Sequence, residues 1–133
     1  MKAFTLQRGM TTLGGVFYPT GYMVLMYPTA DDARHAAKLL ENDGFDSEEV
    51  SLVAPDPFQR LVADAMDDDD ALPSAGTEND TARRFHRLAQ QGHHALIVHA
   101  PSPKQSTHLM EVLRDTPITY GQKYRHLIIE DLA

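Results

Sequence analysis

The sequence predicts an α/β fold of the α+β kind, in which one domain of 133 residues repeats a strand-helix-strand unit. Two observations carry this prediction. Short apolar runs of strand length are followed by segments of helical periodicity, and recognisable N-caps separate the two kinds of segment. The composition agrees, because 42% hydrophobic and 23% charged residues are ordinary proportions for a globular domain and exclude wholesale disorder.

The first unit begins with an apolar strand at residues 22–27. Thr29 is predicted to be a helix N-cap, because Asp32 stands three residues later as its reciprocal partner, and Gly44 ends the helix. Residues 49–54 are predicted to form the second strand. The apolar positions of the helix follow its period at Ala33, Ala36, Ala37 and Leu40.

Residues 57–92 are predicted to be an inserted arm of two helices. Asp56 and Pro57 place a cap and an N1 proline before the first helix, and Gly92 closes the second. Between them, residues 67–80 form a predicted acidic loop, since their charged side chains are all Asp or Glu. One side of the second helix is basic and carries Arg83, Arg84 and Arg87.

The second unit repeats the pattern of the first. A strand at residues 94–100 leads to Ser102 and Gln105, which predict a capping box around an N1 proline at the start of a fourth helix. A last strand is predicted within residues 123–130. The proline-hydroxyl starts of the two helices, Pro28-Thr29 and Pro101-Ser102, share one offset of 73 residues.

This internal duplication predicts a ferredoxin-like split βαβ sandwich, with the inserted helical arm where that fold has a hairpin. The alternative is a four-stranded parallel sheet that is doubly wound, with helices on both faces. Either way, residues 1–133 form a single domain, and residues 1–20 form an N-terminal arm.

The predicted strands are apolar on both faces, without the alternation of a sheet that has one wet side. If one face of the sheet were exposed to water, the protein would lose several kcal/mol of hydrophobic stabilisation, at about 25 cal/mol per Å² of apolar surface. It would also carry a large exposed apolar patch. We therefore predict a second cover for the sheet. The candidates are the inserted helices, the N-terminal arm or a second subunit.

Residues 22–116 resemble bacterial general-stress domains of the heat-induced YflT kind. The likeness lies in "VLMYPTADDARHAAKLLENDGFDSEEVSLVAP" and "HHALIVHAPSPKQSTHLMEVLRDT", where a strand precedes a D/E-x-A-x-x-A-x-x-L helix, a Gly-Phe turn and a second strand. The resemblance implies a small cytoplasmic, stress-associated domain and brings no catalytic residues with it. The basic third helix and the ending from Tyr120 to Ala133 depart from that pattern.

RNA binding is an alternative function. In RNA-recognition sandwiches, aromatic side chains on central strands stack on bases, while basic side chains hold phosphates. The net charge of −7 opposes phosphate attraction, and an RNP-type motif is absent from the sequence. The candidate residues are Tyr22, Tyr27 and Tyr124 for stacking, and Arg83, Arg84, Arg87, Lys123 and Arg125 for phosphates.

Catalytic and metal-binding patterns are missing from the sequence. His93 and His99 would share one side of a strand but stand roughly 20 Å apart, too far to bind one ion. The nucleophile-elbow, phosphate-loop and dinucleotide motifs are absent too. We therefore expect no catalytic residues, no metal and no cofactor.

The sequence thus predicts a non-catalytic interaction or regulatory domain, stress-associated by resemblance. Its expected partner is a second copy or another protein, with RNA as the alternative. The chain has no cysteine, no bilayer-length apolar stretch and no signal-peptide core at its N-terminus. We expect a cytoplasmic protein without membrane contact.

Overall fold

The computed structural model describes residues 2–3, 19–67, 75–125 and 128–131. These residues form a mixed α/β fold. The strands are β1 (Lys2–Ala3), β2 (Tyr22–Tyr27), β3 (Val50–Val53), β4 (His94–His99), β5 (Tyr120–Arg125) and β6 (Ile128–Asp131). The helices are α1 (Ala30–Asn42), α2 (Pro55–Asp67), α3 (Ala75–Gln90) and α4 (Pro103–Val112), with a 3-10 turn at Ser47–Glu49.

The strands form one sheet in the order β1-β3-β4-β2-β5-β6. Neighbours among the four central strands, β3-β4-β2-β5, are all antiparallel, so the alternative of a parallel doubly wound sheet is wrong. The reason lies in the insertion. Helices α2 and α3 pack against each other and return the chain to the end of the sheet where β3 finished, so β4 runs back alongside β3.

Helices α1 and α4 cover one face of the sheet. Met23 and Leu25 of β2 and Leu96 of β4 are buried there against α1 and α4. The helix side chains in this cluster include Ala36, Ala37, Leu40, Leu109 and Leu113. Small alanines on α1 allow the helix to lie close to the strands, and this face of the sheet is filled by the two βαβ helices.

Helices α2 and α3 cover the opposite face. The side chains between the two layers there include Val24, Ile97, Phe58 and Phe85. Phe85 meets Phe58 edge to face at a centroid distance of 5.5 Å and an interplanar angle of 85°. The predicted second cover is therefore confirmed, and the inserted helices supply it.

Two of the three predicted N-caps are present, at Thr29 and Ser102. The Thr29 hydroxyl accepts a hydrogen bond of 3.1 Å from the amide of Asp32 at the start of α1. At the start of α4, Ser102 Oγ accepts from the Gln105 amide and Gln105 Oε1 accepts from the Ser102 amide, each at 3.1 Å. These reciprocal bonds complete the predicted capping box.

Four predicted boundaries differ from the structure. Helix α2 begins at Pro55, two residues before the predicted N1 position, so Asp56 lies within its first turn and is not its N-cap. The last strand is two antiparallel strands, β5 and β6, and β5 begins at Tyr120. The predicted loop 67–80 overlaps α3, which is helical from Ala75, while residues 68–74 lie outside the described part. Of the N-terminal arm, Lys2–Ala3 form β1, parallel to β3, and residues 4–18 lie outside the described part.

Among the helices in the described ranges, none combines the length and the apolar character needed to cross a membrane.

Candidate functional site

A concave surface lies between α4 and the α1–β3 connection, residues 43–49. We call it the α4 groove. It has a volume of about 340 Å³, which is within the range of small-ligand sites. The side chains that matter for its chemistry are Asp43, Phe45, Asp46, Glu49, Lys104 and His108.

The end of α1 fixes Phe45 in the groove wall. Gly44 has a φ of +102°, a left-handed conformation that glycine adopts without strain. The Gly44 amide donates to the carbonyl of Glu41 at 3.2 Å, and the Phe45 amide donates to the carbonyl of Leu40 at 3.0 Å. The turn leaves Phe45 half-buried against the α1/α4 side of the core.

His108 connects α4 to the end of α1. Its Nε2 atom is hydrogen-bonded to the Asp43 carboxylate, 65 residues away in the chain. The imidazole ring also lies nearly parallel to the Phe45 ring, with an interplanar angle of 11° and a centroid distance of 6.3 Å. Phe45 and His108 together form an aromatic wall whose orientation is set from both sides of the groove.

A second histidine-carboxylate pair lies beside the groove. His99 Nδ1 is 3.8 Å from Glu49 Oε2, and the two form an ion pair when the imidazole is protonated. Tyr22 on β2 lies directly opposite His99 on β4. The Tyr22 ring packs against the His99 imidazole at a centroid distance of 4.7 Å. Burial raises the pKa of the Tyr22 hydroxyl, and the Glu49 charge adds to the effect.

The carboxylates give the groove a negative rim. Asp43, Asp46 and Glu49 line its α1–β3 side, whereas Lys104 is the cation that lines its α4 side. Asp46 Oδ1 accepts a hydrogen bond of 3.0 Å from the Glu48 amide, which fixes the side chain at the start of the 3-10 turn. The groove therefore combines an aromatic wall with an excess of negative charge.

The tyrosines predicted to stack on bases do not form one surface. Tyr27 is 0% exposed on the α1/α4 face, Tyr124 is 5% exposed on the α2/α3 face, and Tyr22 is half-buried. Tyr22 and Tyr124 lie on the α2/α3 face and Tyr27 lies on the opposite face, so the three rings do not share one stacking surface. Tyr22 and Tyr27 are separated by an odd number of positions along one strand, so their side chains point to opposite faces.

The predicted phosphate-binding residues are also divided. Arg83, Arg84 and Arg87 are exposed on α3; Arg83 contacts Asp80 at 3.4 Å, and Arg84 lies 4.2 Å from the centre of the Tyr120 ring. Lys123 is 3% exposed, and its Nζ donates to the carbonyl of Ser102 and to Ser106 Oγ. Of these cations, a ligand could therefore reach the three on α3.

The remaining predicted residue, Arg125, has a side chain outside the described part. RNA binding as such stays a prediction. It has lost the stacking surface on which it was based.

The histidines form no metal site in the described part of the chain. Among the side chains described, no three His, Cys, Asp or Glu come together as metal ligands would. The Nδ1 atoms of His93 and His94 are buried, and neither has a hydrogen-bond partner within the described ranges.

The residues of the groove are not among those predicted from the sequence. For Phe45 a signal existed, because a Gly-Phe pair directly after a helix indicates a turn whose aromatic ring packs back. For Asp43 and His108 there was none, since each is an ordinary polar residue on a helical segment. Comparison with protein-family models, with curated proteins and with solved structures gave no significant match to this chain.

Proposed function

We propose that this chain is a non-catalytic interaction domain and that the α4 groove is its docking surface for an extended segment of a partner protein. The observation that carries the proposal is the aromatic wall of Phe45 and His108 in a concavity of about 340 Å³. Concave, largely apolar surfaces with a few placed polar groups are where ligands bind.

The packing of the sheet supports this location. Both faces of the central strands are filled by the protein's own helices, so recognition takes place on an outer surface. The groove is built from the ends of regular elements, which hold its side chains in place. Sites on such elements are more precise than sites on long loops.

The dimensions of the groove suit an extended peptide. A second concavity of about 460 Å³ adjoins it over Pro103, Thr107 and Glu111 and shares Lys104 and His108. The two together follow α4, whose ten residues span about 15 Å. An extended segment of about five residues covers that length.

The strand order supports a ferredoxin-like class for the fold, which forms part of the proposal. In the order β3-β4-β2-β5, β4 lies between the two strands that α1 connects, and β2 lies between the two that α4 connects. This interleaving of two βαβ units is the split βαβ arrangement. The stress-associated role and the cytoplasmic location are carried by the resemblance to YflT-like domains.

Selection from a random peptide library tests the docking function. Peptides enriched on the wild-type chain are expected to bind with micromolar dissociation constants and to lose at least tenfold in affinity on Phe45→Ala, because the aromatic wall is the anchor. Arg87→Ala, a matched change on exposed α3, should leave binding unaltered. The proposal fails if selection enriches nothing or if the enriched peptides ignore Phe45→Ala. Far-ultraviolet circular dichroism confirms that the variants fold.

A further inference from the structure

The charges around the aromatic wall specify the chemistry of the occupant. We propose that the α4 groove binds an arginine-bearing basic segment of a partner protein, with the guanidinium against Phe45 and between the carboxylates of Asp46 and Glu49. The proposal rests on the docking function above and adds the class of partner.

Two carboxylates on the rim, those of Asp46 and Glu49, retain capacity for a further donor. Asp46 accepts one amide hydrogen bond, through Oδ1, and an ionised carboxylate has about four acceptor sites. Glu49 is 39% exposed, and its contact with His99 at 3.8 Å is an ion pair only with a protonated imidazole. A cation entering the groove therefore meets acceptors that are solvent-accessible.

Arginine fits these groups better than lysine does. A guanidinium is planar, stacks on aromatic faces and presents several N–H donors in a fork that matches carboxylates. The Phe45 ring supplies the face, and its near-parallel alignment with His108 keeps it in one orientation. A lysine ammonium would reach the carboxylates but would gain less from the ring.

Phosphate-bearing partners fit the groove poorly. Among the described residues that line the groove, three carboxylates face one lysine, so a phosphate would meet repulsion at the rim. The chain as a whole carries a net charge of −7, which attracts a basic partner from a distance and speeds association. The charge of the groove and the net charge of the whole molecule thus both favour a positively charged partner.

Fluorescence polarisation with three labelled Gly/Ser peptides tests the proposal. The peptides carry arginine, lysine or glutamate at the same positions. We expect the arginine peptide to bind most tightly, the lysine peptide several-fold more weakly and the glutamate peptide not at all. Added salt should weaken the binding, because exposed charges are screened.

Two matched double variants locate the site. Asp46→Asn with Glu49→Gln should weaken the arginine peptide about tenfold. Asp31→Asn with Asp115→Asn removes the same charge from side chains that are 95% and 94% exposed outside the groove, and should change affinity less than twofold. Phe45→Leu should reduce the preference for arginine over lysine. Equal losses in the two double variants would overturn the proposal, because they would reflect net charge alone.

The failure of this inference is distinguishable from failure of the docking function. If library peptides bind through Phe45 but lack arginine, the docking function stands and the arginine proposal is overturned. Sedimentation at two protein concentrations tests whether the partner is a second copy of this chain. Self-association that Arg87→Glu abolishes would identify the basic partner as α3 of a second copy, and would overturn the assignment to another protein.

Discussion

The hydroxyl of Tyr27 on β2 is hydrogen-bonded at 2.7 Å to Oγ1 of Thr116, 89 residues further along the chain. The direction of this bond follows from a second hydrogen bond, which the Thr116 hydroxyl makes. Thr116 Oγ1 donates its single proton to the carbonyl of Leu113 at 2.6 Å, so Tyr27 is the donor. The bond ties the first strand-helix-strand unit to the turn after α4 in the second unit.

Removing the Tyr27 hydroxyl should destabilise the protein modestly. We expect Tyr27→Phe to lower the free energy of unfolding by about 1 kcal/mol, because one buried hydrogen bond is lost while the ring still packs. Urea denaturation followed by circular dichroism measures the change. In a cycle with Thr116→Val, the double variant should lose less than the sum of the single variants. Additive losses would show that the two side chains do not interact.

The same tyrosine should limit stability at alkaline pH. Burial raises the pKa of Tyr27 from 10.0 to about 12; the hydrogen bond with Thr116 partly offsets this rise, and the Asp32 charge adds to it. The neutral phenol is the form favoured by folding, so this contribution is fully present below pH 10 and is lost as the pH rises through about 12. Urea unfolding across that range should show a steeper decline for the wild type than for Tyr27→Phe. Parallel declines would contradict the assignment.

The parts of the fold whose ends are marked by local signals, such as glycine, proline or a helix cap, could be predicted from the sequence. Strand β2 matches its predicted range because Gly21 and Pro28 bound it, and the N-caps at Thr29 and Ser102 are local hydrogen-bond patterns. The start of β5 was missed, since Gly121 and Gln122 interrupt the apolar run that marks a strand. The start of α3 was missed because its first residues are polar and were assigned to the loop.

The candidate site could not be predicted in the same way. Asp43 and His108 are brought together by the packing of α1 beside α4 on one face of the sheet. That contact depends on strand order, which no local pattern encodes. The single tyrosine stacking surface failed for a different reason. Tyr22 and Tyr27 are separated by an odd number of positions on one strand, so they point to opposite faces of the sheet, and helices cover both faces.

The two helix caps should contribute similarly to stability. Thr29→Ala and Ser102→Ala each remove a side-chain acceptor for an amide of the first helical turn. We expect each to cost about 1 kcal/mol. Thr107→Ala is a matched control on α4, and should cost nothing because alanine is the better helix former at an exposed position. A loss in the control as large as in the cap variants would show that capping is not the cause.

The inserted helices should unfold together with the rest of the protein. Phe85 is fully buried and packs against Phe58 and Tyr120, so Phe85→Ala should cost about 3–5 kcal/mol. Leu113→Ala makes a comparable deletion on the opposite face of the sheet and should cost about 2–5 kcal/mol. Both variants should unfold in a single cooperative transition. A separate early transition in Phe85→Ala would mean that α2 and α3 form an independent arm.

Replacing His94 by phenylalanine should stabilise the protein. His94 lies opposite the buried Tyr27 on the neighbouring strand. The Nδ1 atom of His94 is buried and has no hydrogen-bond partner among the residues that the structure describes. Such a group costs about 1–3 kcal/mol in lost solvation, and a phenyl ring occupies similar space without the polar atom. We expect His94→Phe to raise the free energy of unfolding by about 1 kcal/mol in urea denaturation at neutral pH.

A matched exposed histidine separates this effect from a general gain in hydrophobicity. His35 is exposed on α1, so His35→Phe should change the free energy of unfolding by less than 0.5 kcal/mol in either direction, about the range of ordinary surface changes. If His94→Phe instead destabilises the protein, the imidazole makes a favourable contact that its Nδ1 geometry does not reveal. Equal gains in both variants would assign the stabilisation to the phenyl group itself, because only the His94 change relieves a buried polar atom.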